Sequence, residues 1–260
     1  MKEMRVLMTQ QQLNQRQQII LERMGQAGEV KLAELKEMFE VTEMTLRRDM
    51  EKLEQWGYIR RTFGGAILQG KDIALHERTN VHIEEKMRIG KRAASLVGAG
   101  DSIFLDGGST TLQIAKFLPP DRSITVVTNA LNIAAELQGK RIPTIVVGGM
   151  MMDDTATLVG PVAAAAIAKM AFKSVFIGTT GITAQHGFSN SNMHEAEIKQ
   201  LAIAKAAEVN VVADNTKFGR QDLFSFAPLH GVHRIITDSP PDEALSAVLQ
   251  EASVDILIGS

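Results

Sequence analysis

The sequence predicts an α/β chain: a small N-terminal winged helix-turn-helix and a larger, doubly wound, mostly parallel sheet. Three observations predict it. From about residue 84, short β-branched runs alternate with helical stretches, the order of a parallel sheet with crossover helices. Most of these runs are apolar throughout, as strands covered on both faces are. Before them, apolar residues recur at helical spacing and end in a Gly64-Gly65 hairpin signal.

The elements follow in order. In RQQIILERMGQAG, Ile19, Ile20 and Met24 fall near one face, and the pattern stops at Gly25 or Gly28. VKLAELKEMFE reads as a second helix with one apolar stripe of Leu32, Leu35, Met38 and Phe39. Thr42 is placed to cap a third helix, EMTLRRDMEKLEQWG, with Met44, Leu46, Met50, Leu53 and Trp56 as its apolar residues. YIRRTFGGAILQ then gives two short strands. Residues 15–70 are therefore expected as one domain, after a glutamine-rich tail (1–14) expected to fray. Mixed polar sequence at 71–83 reads as a linker, and 84–260 as the second domain. There, SIFLD, SITVVTN, IPTIVVGG, SVFIGTT, VNVVAD, HRIITD and VDILIG read as strands. TLQIAKFL, ALNIAAELQ, PVAAAAIAKMA, EAEIKQLAIAKAAE and PDEALSAVLQEA read as helices.

Composition narrows the function classes. A formal net charge of -2 excludes a polycation, and the absence of cysteine excludes disulfides, thiolate metal sites and a cysteine nucleophile. No stretch approaches the roughly 20 apolar residues of a membrane span, and no secretory signal is visible. A cytoplasmic protein with no membrane partner is expected. The histidines lack metal-ligand spacing, and neither a dinucleotide nor a triphosphate loop pattern is present. No cofactor and no metal are expected.

Two helices joined by a tight turn, with arginines early in the second, suit a helix-turn-helix whose second helix enters a major groove. Arg47 and Arg48 are the foremost candidates for base or phosphate contacts, with Thr42, Glu43 and Thr45 beside them. Arg60 and Arg61 fall on the wing, where they would meet phosphates. Basic and acidic residues nearly balance in this region, so a merely solvated helix face fits the charge pattern equally well.

In the large region, IFLDGGSTTLQIAKFL runs from a strand into a helix. Free amides at a helix N-terminus attract anions, helped by the helix dipole. Gly107 and Gly108 leave room for close approach, and Ser109, Thr110 and Thr111 add hydroxyls. Other strand ends are also polar: Thr128 and Asn129, Gly148 and Gly149, Asp214 and Lys217, with Lys199 on a nearby helix. Ligands of such sheets sit at the carboxyl ends of strands. Amides, hydroxyls and lysines would hold a phosphate; Asp106, Asn129 and Asp214 would accept sugar hydroxyls. Helix capping and loop capping explain the same residues individually.

VTEMTLRRDMEKLEQWGYIRRTFGGA closely resembles the N-terminal signature of the DeoR family of bacterial transcriptional regulators. Phe63 stands where that family usually has histidine or tyrosine. KMRIGKRAASLVGAGDSIFLDGGSTTLQIAKFL, ITVVTNALNIAAEL, VVGGM, VNVVADNTKFG and RIITD are similar, in order, to the family's C-terminal sensor domain. The resemblance implies a fold like that of ribose-phosphate isomerases. It implies a repressor of a sugar or polyol operon that binds double-stranded operator DNA as a homodimer or homotetramer, with affinity set by a phosphorylated sugar. It implies phosphate contacts from Ser109, Thr110, Thr111 and Lys199, and sugar-side or lining roles for Asp106, Thr128, Asn129, Asp214 and Lys217. No catalytic residue is expected. The alternative is an isomerase-like enzyme in the same cleft, with Asp106, Glu195 or Asp214 as its base.

Overall fold

The computed structural model describes residues 14–27, 29–39, 41–55, 58–62, 64–68, 75–120 and 123–259. Residues 1–13 of the expected tail, Trp56, Gly57 and Phe63 lie outside them. The chain divides into two compact units, one ending at Ile73 and one beginning at Ala74.

The first unit comprises α1 (Gln15–Ala27), β1 (Glu29–Lys31), α2 (Leu32–Phe39), α3 (Glu43–Gln55), β2 (Ile59–Thr62) and β3 (Gly65–Leu68). The helical stripes converge: Ile20, Met24, Leu35, Leu46, Met50, Leu53 and Ile59 form its core. The expected hairpin is present, with Thr62 opposite Gly65. The second helix is shorter than its apolar pattern implied. Glu29–Lys31 instead form β1, which pairs antiparallel with β3 and completes the sheet order β1-β3-β2. Val30 is buried there. This pairing requires Gly65, because a Cβ at that position would stand 1.9 Å from the Val30 carbonyl oxygen.

Asp49 fixes α1 against α3. It is buried, and its carboxylate accepts hydrogen bonds from Arg16 Nε (2.6 Å), Gln17 Nε2 (2.8 Å) and Asn14 Nδ2 (3.3 Å). The third helix begins as its cap predicts: the Thr45 amide donates to the Thr42 hydroxyl at 3.4 Å and to the Thr42 carbonyl at 3.0 Å.

The second unit begins with α4 (Leu75–Asn80) and α5 (Ile83–Ala94), so the polar stretch expected as a linker is helical over much of its length. The Leu75 amide is anchored on the Asp154 carbonyl (2.8 Å). Then follow β4 (Ser102–Leu105), α6 (Ser109–Phe117), β5 (Thr125–Thr128), α7 (Leu131–Gly139), β6 (Thr144–Val146), β7 (Met150–Met152), β8 (Thr157–Val159) and α8 (Pro161–Ile167). The remainder is β9 (Phe172–Gly178), β10 (Gly181–Thr183), β11 (Gly187–Asn190), α9 (Met193–Ala204), β12 (Ala206–Val212), β13 (Phe224–Ala227), β14 (Arg234–Thr237), α10 (Glu243–Glu251) and β15 (Asp255–Ile258).

Each of the seven apolar runs contributes a strand to one parallel sheet, in the order β15-β14-β12-β9-β4-β5-β6. Successive residues serve opposite layers. Ile103 and Leu105 pack with α5, α6 and α7, while Phe104 packs on the other side with Ile167, Phe172 and Ile198. Chain order runs outward from β4 to β6 on one side and from β9 to β15 on the other. The direction reverses between β4 and β9, and crevices for ligands open at such reversals, outside the carboxyl ends of the strands. Two antiparallel additions were not legible in the sequence: the β7–β8 hairpin and the sheet β10-β11-β13. Their strands span only three or four residues, and those of the second sheet carry glycine and polar residues in place of a β-branched run.

Candidate functional site

On the first unit, α3 buries Leu46, Asp49, Met50 and Leu53 along one face. Glu43, Arg47 and Arg48 are exposed on the remainder, and Thr45 is half-buried. The Arg47 guanidinium donates twice to Glu43 Oε1, at 2.9 Å from Nε and 2.7 Å from the terminal nitrogen. Arg48 has no ion pair among the described residues. On the wing, Arg61 is drawn back to α3, pairing with Glu54 (2.7 Å) and Glu51 (2.8 Å). A backbone hydrogen bond from Arg61, followed by its side chain, holds the Glu54 carboxyl below the usual glutamate range. Arg60 sits in β2 opposite Ile67; its side chain lies outside the described residues. The predicted residues thus share one helix and one hairpin, joined by the Arg61 pairs.

On the second unit, β4 delivers its chain to the reversal point and α6 starts there. No side chain caps α6. The amides of its first turn lack intrahelical partners by geometry, so Ser109, Thr110 and Thr111 present unsatisfied donors where an anion is most stabilised. The three side chains are buried, and the Thr111 hydroxyl donates to the Gly108 carbonyl at 3.0 Å. Gly107 is required by packing: a Cβ there would lie 2.1 Å from Thr157 Cγ2.

Asp106 and Lys199 form a buried ion pair across this point. Asp106 Oδ2 also accepts the Gly178 amide at 3.0 Å, and Lys199 Nζ donates to the Gly178 carbonyl at 3.0 Å. The pair therefore clips the end of β4 to the end of β9. Lys199 also lies over the Phe226 ring, 5.6 Å from its centre. Burial pushes the Asp106 carboxyl above its ordinary range, and Lys199 offsets that only in part. Glu195, one turn before Lys199, accepts hydrogen bonds from Thr157 (2.9 Å) and Asn190 (2.9 Å). Burial opposes its ionisation, but the charge of Lys199 and the hydrogen bonds of Thr155, Asn190 and Thr157 outweigh it. The carboxyl stays below the usual glutamate range.

Thr128 and Asn129 shape the loops at this edge. The Thr128 hydroxyl donates to the Leu105 carbonyl (2.7 Å) and accepts from the Ala130 amide (3.1 Å). Asn129 accepts from the Gly107 amide (3.2 Å) and donates to the Leu158 carbonyl (3.4 Å). Gly148 and Gly149 follow β6 and are exposed.

Asp214 and Lys217 lie beyond β12, two strands from β4, about 10 Å away by ordinary strand spacing. Asp214 accepts the Thr216 amide (3.2 Å) and hydroxyl, and Lys217 Nζ stands 3.7 Å from its other oxygen. Burial opposes ionisation of Asp214, but Lys217, Thr216 and Lys86 hold its carboxyl below the usual range. Lys86 was missed from sequence. It is buried on α5, and its ammonium donates to the carbonyls of Arg78 (2.6 Å) and Val81 (2.7 Å). The available signal was its phase: Lys86, Ile89, Gly90 and Ala93 share the buried face of one helix.

Burial lowers Lys86 to about 8 from the 10.5 of a free lysine, with Asp214 opposing. Lys217 is lowered by burial in the same direction. Between those values the unfolded chain holds a proton that the folded chain has released. Unfolding then takes up protons, and stability rises with pH. Raising pH from about 8 to about 9.5 is expected to move the urea midpoint of this unit upward, and Lys86→Met to shrink that gain. An equal gain in Lys86→Met would exclude Lys86 as its source.

Among the described residues, no group of three or more His, Asp or Glu is placed to hold a metal ion, and no helix is long and apolar enough to cross a membrane.

Residues 16–71 match the DeoR-like helix-turn-helix domain, and residues 81–239 match the DeoR C-terminal sensor domain. The uncharacterized HTH-type transcriptional regulator YulB of Bacillus subtilis (strain 168) is 35% identical over 246 residues, 93% of this chain and 95% of the relative. The HTH-type transcriptional regulator IolR of the same organism is 34% identical over 232 residues, 88% of this chain and 92% of the relative. The glycerol-3-phosphate regulon repressor of Escherichia coli (strain K12) is 29% identical over 245 residues, 93% of this chain and 97% of the relative. With both of its units matched in order and relatives aligned over nearly their whole length, the chain belongs to the DeoR family of helix-turn-helix transcriptional regulators.

Proposed function

We propose that this chain is a cytoplasmic repressor of a sugar or polyol catabolic operon, and that a phosphorylated sugar bound at the C-terminal edge of the parallel sheet lowers its affinity for operator DNA. The observation that carries the effector reading is the uncapped first turn of α6, set at the β4/β9 reversal with three buried hydroxyl side chains around it. A phosphate there would accept the amides of Ser109, Thr110 and Thr111. Lys86, Lys217 and Asp214 supply charge and hydrogen-bonding groups further along the same edge for the rest of the ligand. A relative named for the glycerol-3-phosphate regulon supports a phosphorylated ligand. Paired half-sites on an operator call for a homodimer or homotetramer.

The carboxylates weigh against an isomerase in this cleft. A general base works best with a pKa near the operating pH. Glu195 and Asp214 are both held below the ordinary range, and Asp106 is committed to Lys199.

The test is a mobility shift on the DNA upstream of the protein's own gene, with and without a panel of sugar phosphates, alongside a turnover assay on the same panel. Release of DNA without turnover is expected. Ser109→Ala/Thr110→Ala is expected to bind DNA normally and to need at least tenfold more sugar phosphate for release. No binding to that DNA at low salt, or turnover of any panel member, would overturn the reading.

A further inference from the structure

Met44 belongs to the apolar pattern of α3, yet the fold leaves it out of the core: 67% of its surface is exposed. Among the described residues of the first unit, no other large apolar side chain is exposed to this degree. Its position on the helix is specific. At about 100° per residue, buried Leu46, Asp49, Met50 and Leu53 define the inner face. Met44 and Arg48, four residues apart, then fall about 160° and 200° from Leu46, at the centre of the outer face. Met44 is also the second residue of the helix, and the N-terminal residues of a recognition helix are the ones that reach base edges.

The neighbours of Met44 are polar. Glu43 and Arg47 occupy each other, Thr45 is half-buried with its hydroxyl on that of Thr42, and Arg48 is exposed beside it. A thioether cannot donate to phosphate and accepts hydrogen bonds only weakly. On the base edges of the major groove, one group is apolar: the C5-methyl of thymine. We propose that Met44 is a specificity-determining residue that packs on a thymine methyl, while Arg48 beside it bonds the adjacent base edge. This rests on the DNA-binding reading above and assigns Met44 a base preference within it.

The experiment uses the full-length protein and the duplex it protects upstream of its own gene. Each thymine is replaced in turn by deoxyuridine, which removes only the methyl group. At one thymine per half-site, the replacement is expected to weaken wild-type binding about fourfold, the worth of one buried carbon, and to leave Met44→Ala unaffected. Met44→Ala should bind the unmodified duplex correspondingly more weakly, bind an unrelated duplex at low salt as the wild type does, and melt at the wild-type temperature. The proposal is overturned if every deoxyuridine replacement affects wild type and Met44→Ala alike, or if Met44→Ala changes only the self-association of the protein. Wild-type protein that binds no duplex at all would instead remove the DNA-binding reading itself.

Discussion

Lys199→Met is expected to destabilise the α/β unit by about 3–5 kcal/mol, the cost of leaving a buried charge without its partner. Asp106 is buried at the end of β4 and has two sources of compensation, the Lys199 ammonium and the Gly178 amide. The substitution removes the only charge of the two. The stranded carboxyl then favours its protonated form, so its folded-state pKa rises further above the unfolded value. Across that window the folded state holds the extra proton, and stability falls as pH rises. The deficit is therefore expected to shrink as pH is lowered from about 8 to about 5. Asp106→Leu/Lys199→Met, which removes both charges, is expected to recover most of the loss. Urea denaturation of the full chain reads all three results. A single-variant loss under about 1 kcal/mol would show that the ion pair does not hold the β4 and β9 ends together. Because Lys199 is tied into this clip, Ser109 and Thr110 are the cleaner positions at which to test effector response.

Arg48→Ala is expected to lower affinity for the specific operator about 10- to 100-fold, the range of one bidentate guanidinium contact to a base. Arg48 is exposed at the centre of the outer face of α3 with no ion pair among the described residues. Arg47 sits to one side with its guanidinium held by Glu43. Arg61→Ala is expected to behave differently, weakening binding to all duplexes alike and reducing the salt dependence by about one phosphate contact. Titrations of operator and unrelated duplexes at several salt concentrations distinguish the two. Equal losses on both duplexes for Arg48→Ala would assign it to phosphate rather than to a base.

All seven parallel strands were legible as apolar runs because burial on both faces writes itself into consecutive residues. The helix-turn-helix was legible because Leu46, Met50 and Leu53 recur at helical spacing between Thr42 and the hairpin. The misreadings share a cause. Val30 reads as helical from its neighbours because its β-pairing depends on Gly65, which lies far along the chain. The β10-β11-β13 sheet was missed because its short strands are half polar and leave no periodic trace.

Sequence alone was enough for the two-unit architecture, the family, and the placing of Ser109, Thr110 and Thr111 at a helix start, since each of these rests on local pattern. Only the tertiary structure decided that Lys199 closes on Asp106, 93 residues away, that the charge of Lys86 acts on Asp214, and that Met44 faces outward while Met50 is buried in the same helix. Periodicity is a property of neighbours along the chain. Which strand ends meet, and which face of a helix is covered, depends on crossovers and packing between segments that share no local pattern.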